Sequence, residues 1–422
     1  MIASSRERIK TALNHKDTDR IPVDLGATAV TGISASTLYQ LRLALGIARP
    51  GDRVKVIEPY QMLGEVDDEL RYALGIDTVG LGRRKNLFGF ENKDWKPWTM
   101  FDGTPVLVPA GFNTEPDETG NILMYPEGDK TVPPSGKMPK GGFYFDSIER
   151  QSPIDDEKLN PEDNLEEFGF ISDDELEYLR KESERLYKTT DFSIIANFGG
   201  TSFGDIALVP APFLKFPKGI RKVEEWYIST VIRRKYIYEV FERQCDIAIK
   251  NLVRIKQAVG NKVDVVLISG ADFGTQTSLF ASIDTYKELY KPFHKKVNDW
   301  VHANTEWKTF IHTCGAVEPL INEFIDAGFD ILNPVQCSAA GMQPALLKEK
   351  YGKRITFWGA GVDTQKTLPF GTPEEVKKEV AERLKIFSKS GGFVFNTVHN
   401  IQARILVDNL IAMFETIKNF KP

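Results

Sequence analysis

The stretch K-T-F-I-H-T-C-G, residues 308–315, is an apolar run that ends in two ligand-type side chains and a glycine. Its composition predicts a buried strand, and the glycine predicts the turn that follows it. His312 and Cys314 lie two positions apart, so on an extended strand both side chains project from the same face, about 7 Å apart along the backbone. The stretch predicts either part of a metal site or a plain strand end, in which a core histidine lies beside a small apolar cysteine.

Seven further short apolar runs along the chain also predict strands. Several are almost continuously hydrophobic, as expected of parallel strands that are covered on both faces. The other predicted strands are residues 20–26, 77–82, 192–198, 263–270, 330–336, 355–361 and 392–398.

Amphipathic helical patterns separate most of these runs. The pattern at 372–387 begins with Thr372, Pro373 and Glu375, which predict a capping box with proline in the first turn. The other patterns cover residues 36–46, 65–75 and 316–328. Eight strands alternating with helices predict an α/β fold, a (β/α)8 TIM barrel that forms a single domain over residues 1–422. An open doubly wound sheet is the alternative, but the sequence lacks the G-x-G-x-x-G turn of a dinucleotide site.

Residues 83–190, between the second and third predicted strands, are more than one βα unit needs. Turn signals and short β-like pieces over 100–145 predict a small antiparallel subdomain, and residues 173–187 predict an acidic helix. Because long insertions in a barrel usually replace a βα loop at the catalytic end, we expect a small α+β cap there. An arm for oligomerisation is the alternative.

Composition restricts the class of protein. The 422 residues are 41% hydrophobic and 27% charged, which is enough apolar material for a large core. The net charge of −5 disfavours nucleic acid and anionic membranes as partners. The sequence has no apolar leader, no run long enough to span a membrane and no disulfide framework among its three cysteines, so a cytoplasmic protein is expected.

In a TIM barrel, reactive groups lie at the carboxyl ends of the strands. Ligand-type and polar residues collect at these ends here. They are Asp24, Asn197, Asp272, Gln276, His312, Cys314, Gln336, Cys337, Asp363, Gln365 and His399. His399 is the expected third ligand of a metal bound by His312 and Cys314, and Cys337 is its competitor. Three protein ligands with an open fourth position would make a catalytic zinc site.

Three of these residues are candidates for a direct part in the chemistry. Asp272 can orient substrate or a metal-bound group, or it can close a turn between Gly270 and Gly274. Gln276 can bond the same ligand. Asp363 can act in the same way or cap the turn that follows it.

Substrate binding is expected of four others, Asp24, Asn197, Gln336 and Gln365. For Asn197 the alternative is a tight turn with the two glycines that follow. The remaining histidines lie in helical or polar surroundings and are expected at the surface; they are His15, His294 and His302.

Four stretches carry a resemblance to a known family: I-H-T-C-G (311–315), D-I-L-N-P-V-Q (330–336), F-W-G-A-G-V-D-T-Q (357–365) and V-H-N-I-Q (398–402). The chain resembles the uroporphyrinogen decarboxylase superfamily. Within it, the chain is most similar to the zinc-dependent, corrinoid-linked methyltransferases related to methylcobalamin:coenzyme M methyltransferase. The similarity runs from R-E-R-I-K near the start to the last helix, with 83–190 as an elaboration. The family fold is a (β/α)8 barrel, which the strand pattern predicts independently.

The resemblance implies that His312 and Cys314 bind Zn²⁺. The usual third ligand of these methyltransferases is a cysteine at the end of strand 8, whereas His399 holds the matching place here. The resemblance further implies a small methylated substrate, a corrinoid carried by a separate protein, and a homodimer. Asp272, Gln276 and Asp363 would then orient the substrate or tune the zinc through hydrogen bonds.

Two other functions are compatible with the pattern. One is a metal-free tetrapyrrole decarboxylase in which Asp24 or Asp272 handles a protonated pyrrole, and the other is a non-catalytic barrel that binds a corrinoid or porphyrin. True decarboxylases meet their polycarboxylate substrate with an arginine-bearing segment after the first strand. The segment here, residues 21–34, has no arginine, and the next one is Arg42. This difference favours the methyltransferase.

Overall fold

The computed structural model describes residues 3–165 and 168–422. Residues 1 and 2 of the predicted domain and residues 166 and 167 of the predicted insertion lie outside the described residues. Within the described part, no helix is both long and apolar enough to cross a membrane.

The described residues form fifteen strands in three sheets. The strands are β1 (Val54–Glu58), β2 (Leu63–Gly64), β3 (Thr78–Leu81), β4 (Lys96–Thr99), β5 (Pro105–Val108), β6 (Thr114–Pro116), β7 (Ile122–Met124), β8 (Gly136–Met138), β9 (Asp146–Ser147), β10 (Ser193–Ala196), β11 (Val265–Ser269), β12 (Lys308–His312), β13 (Ile331–Asn333), β14 (Thr356–Ala360) and β15 (Phe393–Asn396).

Helices of very different length surround the strands. The α-helices are α1 (Ser5–Leu13), α2 (Ala35–Ala44), α3 (Asp68–Leu74), α4 (Asp173–Thr189), α5 (Val223–Ile232), α6 (Arg234–Val259), α7 (Ile283–Thr285), α8 (Lys291–Asn304), α9 (Ile321–Asp326), α10 (Pro344–Tyr351), α11 (Thr367–Phe370), α12 (Pro373–Phe387) and α13 (Val407–Asn419). Single turns of 3₁₀-helix lie at Pro126–Gly128, Pro161–Asn164 and Glu318–Leu320, and a π-helical turn lies at Tyr286–Tyr290.

The main sheet is parallel and has seven strands in the order β15-β14-β13-β12-β11-β10-β3. These strands correspond to seven of the eight predicted runs, and most of their residues are buried on both faces. The predicted α/β fold is confirmed. The capping box of α12 is also confirmed, since the Thr372 side chain accepts from the Glu375 N–H and the Glu375 side chain accepts from the Thr372 N–H.

Residues 20–26, the eighth predicted run, form no regular strand. Val23 makes an isolated parallel bridge to Phe395 of β15, and the Phe395 N–H donates to the Pro22 carbonyl at 2.8 Å. On its other side, the Val23 carbonyl accepts from the N–H of Asp77, just before β3, at 2.8 Å. This segment therefore bonds to both ends of the strand order, so the seven-stranded sheet is curled.

A buried ion group fixes that segment. The Asp77 carboxylate is inaccessible to solvent and accepts from Arg8 at 2.6 Å, from Arg20 at 2.7 and 2.8 Å, and from the Val23 N–H at 2.9 Å. Arg8 is also paired with Asp19 at 2.7 Å. A buried carboxylate is tolerated only with such partners. Asp77 thus joins α1, the 20–26 segment and β3.

The region 83–190 contains β4 to β9 and α4. β4 and β5 join β1 and β2 in a four-stranded sheet of order β2-β1-β5-β4, and β6 to β9 form a separate antiparallel sheet. α4 contacts α6, β3 and β10, as a helix connecting two parallel strands would.

The predicted surface position of His294 is wrong. His294 is fully buried in α8, where it lies on the same helical face as Val297 and Val301, three and seven positions later. Tyr286 Oη lies 3.2 Å from its Nδ1, and burial lowers the pKa of His294 to about 3. The neighbouring lysines made the segment look polar, although they occupy the other face.

We expect Asp77→Asn to lower the free energy of unfolding by about 3–5 kcal/mol, because it leaves two arginines without their buried partner. Denaturant unfolding followed by circular dichroism measures this. The matched control is Asp173→Asn, which removes an exposed carboxylate paired with Arg254 and should cost under about 1 kcal/mol. Equal effects of the two variants would show that the Asp77 group does not hold the fold.

Candidate metal centre

Three side chains meet beyond the carboxyl ends of β12 and β15. His312 is the last residue of β12, Cys314 follows two positions later, and His399 lies in the loop after β15. One donor atom from each residue lies within 4.8 Å of the other two. The Cys314 Sγ is 3.6 Å from His312 Nε2, and the two imidazole rings are 5.2 Å apart and nearly perpendicular. This group could hold a metal ion.

Asn333, at the end of β13, orients His312. Its Oδ1 lies 2.5 Å from His312 Nδ1, while its Nδ2 donates to the Trp358 carbonyl at 2.7 Å. Since the amide is fixed with its oxygen toward the ring, Nδ1 carries the proton and Nε2 presents a lone pair toward Cys314. Burial lowers the pKa of His312 to about 4, so the ring is neutral at pH 7.

His399 is held by its neighbour in sequence. The Asn400 N–H donates to His399 Nδ1 at 2.8 Å, and burial lowers the pKa of His399 to about 4. Nδ1 therefore acts as acceptor, and the proton of the neutral ring lies on Nε2. A metal ion bound through Nε2 would move the ring proton to Nδ1, which could then no longer accept from the Asn400 N–H. A metal ion bound through Nδ1 would take the place of that hydrogen bond.

Asp272 lies beside Cys314. Its Oδ1 accepts from the Cys314 N–H at 2.7 Å. Burial raises the pKa of the Cys314 thiol well above its usual value, and the charge of Asp272 adds to the rise. Without a cation the cysteine is a neutral thiol, and a bound metal ion would displace its proton.

Gln276 and Gln336 fix the turn after Cys314. Gln336 accepts from the Gly315 N–H at 2.9 Å and donates to Gln276 at 2.8 Å. Gly315 has a φ of +87°, and a Cβ there would lie 2.4 Å from the Thr275 carbonyl oxygen. Only glycine fits this close approach, so it fixes the turn directly after Cys314.

The backbone of Val335, which lies between the positioning residues Asn333 and Gln336, is strained. Its φ is +60°, in the left-handed region that β-branched residues avoid. Asn333 lies two residues before it and Gln336 directly after it. The strained turn aims one side chain at His312 and the other at Gly315.

Nothing in S-F-G-D-I (202–206) marks Asp205 as a candidate in the sequence. A Cβ at Gly270 would lie 2.4 Å from its Oδ2, so the glycine makes room for the carboxyl group. Burial raises the pKa of Asp205 to about 7, and the nearby charge of Asp272 contributes to the rise. Asn333 and Asn400 also acquire their roles only in the fold, through contacts that the sequence does not reveal.

Asp24, a predicted substrate ligand, is buried within the curled sheet. Its carboxylate accepts from the Thr78 hydroxyl at 2.6 Å and from Trp358 Nε1 at 2.9 Å. The structure thus supplies protein partners to both of its oxygens.

Asn197 and Asp363 lie in local turns. Asn197 Oδ1 accepts from the Gly199 N–H at 3.1 Å, and Asp363 Oδ1 accepts from the N–H groups of Gln365 and Lys366 at 2.7 and 3.0 Å. These are the turn arrangements considered above as alternatives.

Cys337 is not brought into the group. Its thiol lies 3.4 Å from the Val335 carbonyl oxygen, and burial raises its pKa to about 12. Among the residues that the structure describes, the group of potential metal ligands contains His399 and not Cys337.

Comparisons with known proteins relate the part of the chain that holds these residues to one family. Residues 235–420 match the family model of uroporphyrinogen decarboxylase (URO-D), and this range includes His312, Cys314 and His399. This part of the chain is therefore similar to URO-D domains. The predicted resemblance to the URO-D superfamily is confirmed. No curated protein matches the sequence.

The shared fold extends over the whole chain. Matching structures number 44 chains, among them a methyltransferase from Methanosarcina mazei with a TM-score of 0.54. The alignment covers 99% of this chain and 99% of the methyltransferase at 16% sequence identity. The URO-D match covers the sheet from β11 onward, and the structural match adds the region before it.

We expect Asn333→Ala to weaken metal binding about 10- to 100-fold, because it frees the His312 ring and its tautomer. Titration with Co²⁺, followed by its visible absorption, measures the affinity. The matched control is Asn409→Ala, which removes a buried asparagine that bonds only to backbone carbonyls elsewhere. Unchanged Co²⁺ affinity in Asn333→Ala would show that His312 needs no such support.

Proposed function

We propose that the protein is a zinc-dependent methyltransferase that moves a methyl group between a small methylated substrate or a thiol and a corrinoid cofactor. The observation that carries this proposal is the convergence of His312, Cys314 and His399 at the carboxyl end of the sheet. The match of residues 235–420 to the URO-D family model and the fold shared with a methyltransferase support it.

The donor set fits zinc. A nitrogen ligand at about 2.1 Å and a sulfur ligand at about 2.3 Å lie about 3.6 Å apart on a tetrahedral ion. The Cys314 Sγ and His312 Nε2 already have this separation. Two imidazoles and one thiolate would leave the fourth position open for substrate, as in catalytic zinc sites.

Zinc bound here supplies a Lewis acid for the heteroatom that carries the methyl group or for a thiol acceptor. The protein's own part is positioning. Asn333 holds the His312 ring, Asp272 holds the backbone at Cys314, and the Gln276–Gln336 pair holds the turn that follows. We propose that Asp272 and Gln276 act through these contacts, and that Asp363 shapes the loop at the same end of the sheet.

We further propose that the chain is one domain, a closed (β/α)8 barrel, with residues 20–26 as the eighth strand and 83–190 as a cap. The bonds of Val23 and Pro22 to both ends of the strand order support closure. A cap at the catalytic end is supported by Arg404, five residues after His399, whose guanidinium carbon lies 4.8 Å from the Phe143 ring centre.

The corrinoid is proposed to be carried by a separate protein that docks at this end, and a homodimer is proposed from the family resemblance. A cytoplasmic location is supported by the three cysteines, which form no disulfide.

Metal content tests the site. We expect about one zinc ion per chain in untagged wild-type protein by mass spectrometry, and almost none in Cys314→Ser or His399→Ala. Cys337→Ser is the control and should keep its zinc. Zinc retained in His399→Ala, or lost in Cys337→Ser, would contradict the proposed ligand set.

Methyl transfer tests the activity. With methylcobalamin and a series of small thiols, we expect the wild type to consume methylcobalamin, seen as the loss of its absorbance, and Cys314→Ser to be at least about 100-fold slower. A zinc-loaded wild type without methyl transfer in either direction, for thiols and for methylated substrates, would contradict the proposal.

A further inference from the structure

A cavity of about 470 Å³ lies between the 83–190 region and the loops beside the metal centre. Four aromatic residues line it, together with Asp146 and Gln402: Tyr60, Phe143, Tyr144 and the buried Phe145. About half of the Tyr144 side chain is exposed. Aromatic surface that is left open in a concave site is typical of ligand binding.

The lining is fixed by the core of the 83–190 region. Phe145 is fully buried and packs edge-on against Phe88 and Phe112, with ring centres 5.6 and 6.0 Å apart. Its N–H donates to the Tyr60 carbonyl at 2.8 Å, and the Tyr60 hydroxyl lies 3.1 Å from Ser147 Oγ. The cavity is therefore preformed.

One charged side chain lines this cavity and another, of opposite sign, lies beside it. Asp146 is part of the lining, whereas Arg404 is not, but its guanidinium stacks on the lining residue Phe143. Neither side chain forms a hydrogen bond or ion pair with any residue in the described part of the chain. A ligand with one charge would be attracted by one of the two groups and repelled by the other, whereas a zwitterion can satisfy both.

The cavity adjoins the metal centre. Gln61, which also lines it, accepts from Asn400 Nδ2 at 2.7 Å. The Asn400 backbone N–H in turn donates to the His399 ring at 2.8 Å. Asn400 thus connects Gln61 in the cavity wall to His399, a proposed metal ligand.

We propose that this cavity binds the substrate of the methyl transfer, and that the substrate is an α-amino acid whose side chain carries a thiol or a methylated heteroatom. The carboxylate pairs with Arg404, whose planar guanidinium suits it. The ammonium group lies between Asp146 and the aromatic faces, which attract cations. This inference rests on the proposed function for the transfer itself, while the binding of the zwitterion does not depend on zinc.

The test separates the two charges of the ligand. Isothermal titration calorimetry would compare L-cysteine and its one-carbon-longer homologue with cysteamine, which lacks the carboxylate, and 3-mercaptopropionate, which lacks the ammonium. Arg404→Gln should weaken L-cysteine binding at least about tenfold and leave cysteamine unchanged. Asp146→Asn should weaken L-cysteine and leave 3-mercaptopropionate unchanged or bound more tightly.

L-2-Aminobutyrate has no sulfur that could bind a metal ion, so its affinity measures binding by the cavity alone. We expect it to bind wild type and Cys314→Ser equally, and to lose affinity in Arg404→Gln. Arg254→Gln, on the exposed pair with Asp173, is the control for loss of a surface arginine. The thermal midpoint of each variant would be measured to show that it is folded. Asp146 and Arg404 are both exposed, so we expect their replacement to leave the midpoint unchanged.

Either proposal can fail alone. Zinc binding and methyl transfer without any difference between zwitterionic and singly charged ligands would overturn the amino-acid assignment and leave the methyltransferase. Binding of L-2-aminobutyrate that depends on Arg404, in a protein that holds no zinc, would support the cavity and overturn the proposed function. Wild-type affinity in both Arg404→Gln and Asp146→Asn would overturn this inference.

Discussion

The buried carboxylate of Asp77 is the interaction on which the rest of the structure depends. It binds two arginines and the backbone of Val23, and so attaches an irregular segment to β3. That segment bonds on its other side to β15. Because the candidate metal ligands come from β12 and from the loop after β15, their separation is set by how far the sheet curls. An ion group at one end of the sheet thus helps to fix a site at the other end.

Positioning at the metal centre is distributed among loops that are far apart in sequence. His312 ends β12 and Cys314 follows it, but each is oriented by a partner from a neighbouring strand: Asn333 at the end of β13 and Asp272 after β11. The strained Val335 lies within one of these loops. The free energy that holds Val335 in the left-handed region comes from the surrounding packing, so the geometry of the centre is coupled to the stability of the core.

Much of the fold could be predicted from the sequence, because buried parallel strands leave long apolar runs. The site could be predicted as far as it depends on spacing along one strand, as for His312 and Cys314, and on strand ends meeting at one edge, as for His399. Asn333, Asn400 and Asp205 could not, since their roles arise from contacts between loops. His294 was misplaced because charged neighbours on the opposite helical face concealed its position. The 20–26 segment was predicted as a strand, yet it keeps only a few strand-like bonds.

The mixed sheet β2-β1-β5-β4 has a consequence for how this chain can change. Two of its strands precede β3 and two lie within the 83–190 region, so the sheet is completed only when both parts are present. Shortening the loop between β3 and β10 to the length of an ordinary crossover would strip β1 of its parallel neighbour β5. β2 would still cover one edge of β1, but the other edge would be exposed to solvent, which invites pairing between molecules and aggregation. Residues 83–190 therefore cannot be removed on their own. We expect proteins of this kind to lose them in evolution only together with β1 and β2.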